Sequence, residues 1–124
     1  MQALLRNIHE RFAPPLLTLA GFSQGAMLAL DVALQCDPRV DRVAALSGAL
    51  LIDSLPALHD GCGKTRRLLV THGRSDPIVP FENAERAVAM LEQRGVAVDF
   101  RPFDGRHEIP RSVRSALGPF AFDA

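Results

Sequence analysis

Three short stretches of the chain carry residue types that could do nucleophilic chemistry together. The first is Gly21-Phe22-Ser23-Gln24-Gly25, a G-x-S-x-G pattern. Placed on a sharp strand-to-helix turn, such a serine is exposed, and the flanking glycines let neighbouring backbones pass close. The second stretch is Gly73-Arg74-Ser75-Asp76-Pro77 and the third is Asp104-Gly105-Arg106-His107. A serine hydroxyl is a weak nucleophile until a base takes its proton. His107 is the candidate base and then the acid for the leaving group. Asp76 is the candidate orienter of the imidazole and stabiliser of the imidazolium. The Gln24 backbone N–H, at the start of the following helix, would donate to a developing oxyanion. That set of roles describes attack of Ser23 on an acyl carbonyl. Each residue also has a plainer reading: Ser23 as a helix N-cap, Asp76 as an Asp-Pro turn former, His107 as a solvated loop histidine.

The elements needed to position these groups are written in the apolar pattern. Residues 2–12 carry Leu4, Ile8 and Phe12 as one stripe of an amphipathic helix, stopped by Pro14-Pro15. Leu16 to Ala20 is a short apolar run suited to a strand covered on both faces. Ala26 to Leu34 then reads as a helix apolar nearly all round, ended by Cys36-Asp37-Pro38. Residues 40–47 give a second strand, and 48–66, with Pro56, Gly61 and Gly63, a loop with one helical turn near 54–59. Leu68 to His72 is a third strand. Pro80 and Gly95 bracket a helix whose Phe81, Ala84, Val88 and Leu91 face inward. Residues 96–103 alternate as a half-buried fourth strand, and a last helix carries Val113, Leu117 and Phe120. Strands alternating with helices predict a parallel sheet, so an α/β fold of about four parallel strands flanked by helices. Catalytic groups in open sheets of this kind gather at the carboxyl ends of the strands. Ser23, Asp76 and His107 each follow a different strand and are therefore expected on one edge.

Composition narrows the field further. The 124 residues hold 14 basic and 14 acidic side chains, which gives no global pull toward nucleic acid or anionic membrane. No apolar run reaches the roughly 18 residues a membrane helix needs, and the N-terminus has no signal-peptide core. Cys36 and Cys62 form neither a CxxC pair nor a disulfide framework. These features predict a single cytoplasmic unit. With one lysine, Lys64, and no Trp or Tyr, lysine chemistry and aromatic stacking platforms are poorly supplied. His9-Glu10 and His107-Glu108 each begin like H-E-x-x-H but lack the second histidine, and Pro110 would break the required helix. His72 and His59 read as structural or solvated.

Gly21-Phe22-Ser23-Gln24-Gly25-Ala26, His72-Gly73-Arg74-Ser75-Asp76-Pro77-Ile78-Val79-Pro80 and Gly105-Arg106-His107-Glu108-Ile109-Pro110 together resemble the phospholipase/carboxylesterase family of α/β-hydrolases. Leu46-Ser47-Gly48 does so as well. This family includes the acyl-protein thioesterases. The resemblance implies a serine hydrolase of carboxylic esters or thioesters with Ser23 as nucleophile, Asp76 as acid and His107 as base. It implies no metal and no organic cofactor, and a small acyl ester or thioester as substrate. Ile78 and Val79, beside the acid, are expected to line the acyl pocket. The resemblance covers only the C-terminal half of the family domain, so residues 1–124 read as a truncated α/β-hydrolase in one piece.

Two departures carry consequences. The loop that supplies a second oxyanion N–H in the family is not among the 22 residues before Ser23, and one such donor is typically worth about 10² to 10³ in rate. The same truncation leaves Leu16–Ala20 as a bare sheet edge. It also gives a second functional expectation: an inactive half-domain that needs a partner chain, as in a homodimer through that edge. Arg106 stands where the family usually has glycine, which predicts a strained loop if the position requires positive φ.

Overall fold

The structure is a computed structural model that describes residues 2–13, 16–33, 40–48, 67–93 and 95–122. The helical turn expected near 54–59, most of the 48–66 loop, His59, Lys64 and both cysteines lie outside these residues. The element order is α1 (Gln2–Phe12), β1 (Thr18–Phe22), α2 (Gln24–Ala33), β2 (Arg42–Leu46), β3 (Arg67–Gly73), α3 (Phe81–Gln93), β4 (Val98–Phe103) and α4 (Arg111–Phe122). The four strands form one parallel sheet in the order β1-β2-β3-β4, as the alternation of strands and helices predicts.

Because the strands are laid down in one direction across the sheet, right-handed crossovers place successive helices on the same face. Leu5 of α1, Ala26, Ala29 and Leu30 of α2, and Val88 and Leu91 of α3 pack with Val43, Ala45, Leu68 and Val70 on that side. The alternate residues Ala44, Leu46 and Leu69 turn to the other face, where Val113, Leu117 and Phe120 of α4 cover them. Each strand residue thus serves one layer only. The central strand β2 is buried along its whole length, which explains its unbroken apolar run Val43 to Leu46. Its buried first residue, Arg42, donates from its guanidinium to the Phe120 carbonyl at 2.9 Å, near the end of α4. The cation meets a helix end rich in free carbonyls.

Three expectations are corrected by packing. The first strand lies two residues later than Leu16–Ala20, at Thr18–Phe22. The buried Asp41 carboxylate accepts the Leu17 N–H at 2.8 Å, and Leu17 O accepts from Asp41 and Arg42. These long-range bonds set the register with β2. The glycine motif consequently contributes Gly21 and Phe22 to the strand and Gln24 and Gly25 to α2, so only Ser23 makes the turn. On α1, Leu4 and Phe12 are 58% and 74% exposed, whereas Leu5 is buried. The helix is as long as its periodicity predicts, but the layer below takes a neighbouring face. On α2, Leu28 is 43% exposed, so that helix is not buried all round.

Candidate active site

Main-chain bonds at the carboxyl ends of the strands bring three turns level. Past the end of β1, the Ser23 N–H donates to Leu46 O at 2.8 Å, and past β2 the Ser47 N–H donates to Thr71 O at 2.9 Å. The Arg74 N–H donates to Phe103 O and the Ser75 N–H to Gly105 O, both at 2.9 Å. This last pair ties the Asp76 turn directly to the His107 loop. Ser23 itself has φ 56°, a left-handed conformation uncommon for a side-chain-bearing residue. It fits a strand that must turn into a helix within one residue. Gly21 is obligatory here, because a Cβ at this position would stand 2.2 Å from Gly25 O.

On that scaffold Ser23, His107 and Asp76 form one hydrogen-bonded chain. The His107 Nδ1–H donates to Asp76 Oδ2 at 2.7 Å, and His107 Nε2 faces Ser23 Oγ at 2.9 Å. A carboxylate only accepts, so the neutral ring carries its proton on Nδ1 and presents a lone pair to the serine hydroxyl. The Ser23 hydroxyl is therefore directed to the histidine. Its main-chain carbonyl opens α2 instead, accepting from Ala26 N–H and Met27 N–H. Phe22 lies against the imidazole with ring centroids 4.8 Å apart.

The turn-forming reading of Asp76 holds together with its contact to His107, because the two oxygens divide the tasks. Oδ1 accepts the Ile78 N–H at 2.8 Å and the Val79 N–H at 2.9 Å, while Oδ2 faces the imidazole. Burial pushes this carboxyl up. The hydrogen bonds from His107, Val79 and Ile78 and the attraction of His107 outweigh it, so Asp76 is held below its ordinary value. A carboxyl depressed in the folded state stabilises the fold fully above its unfolded pKa, and that contribution is lost as pH falls through the folded one. Denaturant titrations of the wild type and Asp76→Asn across the acid range should show the wild type's advantage shrinking as pH falls. A gap that stays constant with pH would mean the ionised form is not the stabilised one.

Of the two residues expected to line an acyl pocket, Ile78 is 67% exposed and Val79 is buried, and both reach Asp76 through their backbones. A hollow of about 950 Å³ lies at the amino ends of β3 and β4 against α4, lined by Arg67, Val98, Arg101, Ser112 and Pro119 among others. No residue of the Ser23–His107–Asp76 chain lines it. Arg106 is not among the described residues with positive φ, so the strain expected of the His107 loop is absent. Ser47, just past β2, is left-handed like Ser23, with φ 56°; it is fully buried, and its hydroxyl points to Glu108 O at 3.4 Å. Sequence reasoning singled out Leu46-Ser47-Gly48 without giving Ser47 this place; a polar residue directly after a buried strand was the available signal. No group of three or more His, Cys, Asp or Glu that could hold a metal ion occurs among the described residues.

The fold is that of an α/β-hydrolase. It superposes on the crystal structure of esterase PE8 with a TM-score of 0.83 and 26% identity, covering 96% of this chain and 56% of that one. It also matches the fold of Zea mays acyl-protein thioesterase 2, with a TM-score of 0.78, 22% identity and coverage of 94% and 59%. Residues 8–118 match the phospholipase/carboxylesterase family, and the chain belongs to it. Among curated relatives, acyl-protein thioesterase 1 of Gibberella zeae is 27% identical over 103 residues, which is 81% of this chain and 44% of that protein. Acyl-protein thioesterase 1 of Debaryomyces hansenii is 33% identical over 89 residues, 70% of this chain and 38% of that protein. The chain thus spans less than half the length of these relatives. No described helix is long and apolar enough to cross a membrane.

Proposed function

We propose that this chain carries the nucleophile, base and acid of a cytoplasmic serine hydrolase that cleaves small carboxylic esters or thioesters. The observation that carries the reading is the unbroken relay from Asp76 Oδ2 through His107 to Ser23 Oγ, at 2.7 and 2.9 Å. Ser23 Oγ adds to the acyl carbon as His107 Nε2 takes its proton, and Asp76 steadies the imidazolium. The oxyanion meets the Gln24 N–H, one of the first-turn donors of α2 that no helical carbonyl can reach. His107 then returns the proton to the departing alkoxide or thiolate, leaving an acyl-serine. Water, deprotonated by the same ring, releases the acid and restores Ser23. Ile78 and Val79, beside the acid, are the side chains read as lining the acyl pocket; Ile78 is exposed there and Val79 is buried. Neither metal nor organic cofactor enters these steps.

A second reading is favoured by the position of β1. It is an outer strand of the sheet, and an open strand edge is a template for another chain. In this reading residues 1–124, one α/β-hydrolase half-domain, become competent only when Thr18–Phe22 pairs with a partner strand, as in a homodimer.

Fluorophosphonate labelling of the purified chain, read by intact mass beside Ser23→Ala, tests both. The probe reports an activated serine without knowledge of the substrate. The expected result is one adduct on the monomer, absent from Ser23→Ala. An adduct confined to a dimeric fraction, separated by size before labelling, would favour the second reading. A folded protein that takes no adduct in any fraction would overturn the hydrolase assignment for this chain.

A further inference from the structure

We propose that His72 is a positioning residue for the acid–base pair: it fixes the Asp76–Val79 turn, so that one carboxylate oxygen is committed to His107. The inference rests on the reading of Asp76 and His107 given above. His72 is fully buried at the end of β3, and its Nε2 lies 2.7 Å from the Val79 carbonyl. A carbonyl only accepts, so the ring carries its proton on Nε2 and donates it there. The N–H of the same residue, Val79, donates to Asp76 Oδ1. His72 therefore grips one end of the turn whose amides grip the carboxylate.

The remaining contacts fit this role and no proton-transfer role. Among the described residues, His72 Nδ1 is buried without a hydrogen-bond partner. With Nε2–H given to Val79 O, that atom is the lone-pair nitrogen of the ring. Phe81 meets the ring edge-on at 6.1 Å and is itself stacked on Phe100, so the imidazole has an apolar wall on that side. Nε2 also stands 3.4 Å from Asp76 Oδ2, the oxygen that His107 uses. The neutral ring directs its one N–H at Val79 O and leaves Oδ2 to the 2.7 Å bond with His107.

Without the His72 donor, Val79 O loses its buried partner, the turn relaxes, and Asp76 is free to rotate away from His107. The reacting groups lie one and two hydrogen bonds further on, where a misplacement of about 1 Å can cost about 10²-fold. Glutamine at this position can place an amide N–H near where Nε2–H stands; phenylalanine keeps the bulk and removes the donor.

The test is His72→Phe and His72→Gln, each read by the kinetics of fluorophosphonate labelling and by the downfield NMR resonance of the His107 Nδ1–H. His72→Phe is expected to lower the maximal labelling rate about 10- to 100-fold, with half-saturation unchanged, and to broaden or abolish the His107 signal. His72→Gln should restore most of both. A His107 signal and labelling rate unchanged in folded His72→Phe would overturn the proposal. Should His72→Phe not fold, the wild type decides through the scalar coupling across the hydrogen bond from His72 Nε2–H to the Val79 carbonyl. Its absence overturns the proposal and its presence supports it. If the wild type takes no label, the hydrolase reading fails, while the His107 signal still reports whether His72 orders the pair.

Discussion

Asp76→Asn is expected to lower the labelling rate of Ser23, and any ester turnover, by about 10⁴-fold while leaving the chain folded. The asparagine carbonyl can take over Oδ1 and still accept from the Ile78 and Val79 N–H groups, whose present lengths are 2.8 and 2.9 Å. Its amide nitrogen then replaces Oδ2 and presents a donor to His107 Nδ1. The imidazole must move its proton to Nε2, which turns an N–H toward Ser23 in place of a lone pair. In the proposed mechanism, Ser23 then keeps its neighbours and loses its base. Second-order labelling rates, measured with circular dichroism as a check on folding, give the answer. A fall of less than about 10-fold would leave Asp76 as a turn former whose contact to His107 contributes little.

The two glycines of the serine motif should respond oppositely to the same substitution. Gly21→Ala inserts a methyl group 2.2 Å from Gly25 O and 2.7 Å from Ala26 N, both main-chain atoms. Strand and helix must separate for it to fit, at a cost of about 3 kcal/mol or more, the upper range for overpacking. Gly25 has nothing within 4 Å of its would-be Cβ and lies in the first turn of α2. Alanine is the better helix former by about 1 kcal/mol, so Gly25→Ala should be neutral or stabilising. Urea titrations of the two variants measure the contrast. Equal midpoints would mean that the close approach of β1 to α2 is not what the motif provides.

The layout of the site was legible in the sequence because it depends on local signals. Strands that alternate with helices must run parallel, and the residues just beyond their carboxyl ends share an edge. Ser23, Asp76 and His107 each follow a strand by one to four residues, so their meeting could be read from order alone. The paired tasks of Asp76 were half legible: aspartate before proline announces a turn, but not that the turn's amides leave the second oxygen for another residue.

What could not be read depends on partners distant in the chain. The first strand begins at Thr18 because Asp41, 24 residues away, holds the Leu17 N–H; no propensity records that bond. On α1 the spacing of Leu4, Ile8 and Phe12 gives a helix period correctly, yet Leu5 is the residue under cover. Periodicity fixes an angle between side chains, and the neighbouring layer decides which angle is inward. His72 resembles any histidine at a strand end until the Val79 carbonyl is placed beside it. Arg106 does not carry the left-handed angle that the family resemblance led one to expect at its position, and its residue type alone does not show this.

Ser23 follows the strand at one edge of the sheet and His107 the strand at the other, and 84 residues separate them. Closing a loop of that length returns nothing until both ends are docked, and long-range pairings of this kind are slow. The serine–histidine contact is therefore expected to form late, after the sheet has assembled. During refolding, the proposed reactivity at Ser23 should return with the slowest phase rather than with helix content, which would make labelling of Ser23 a clock for completion of the fold.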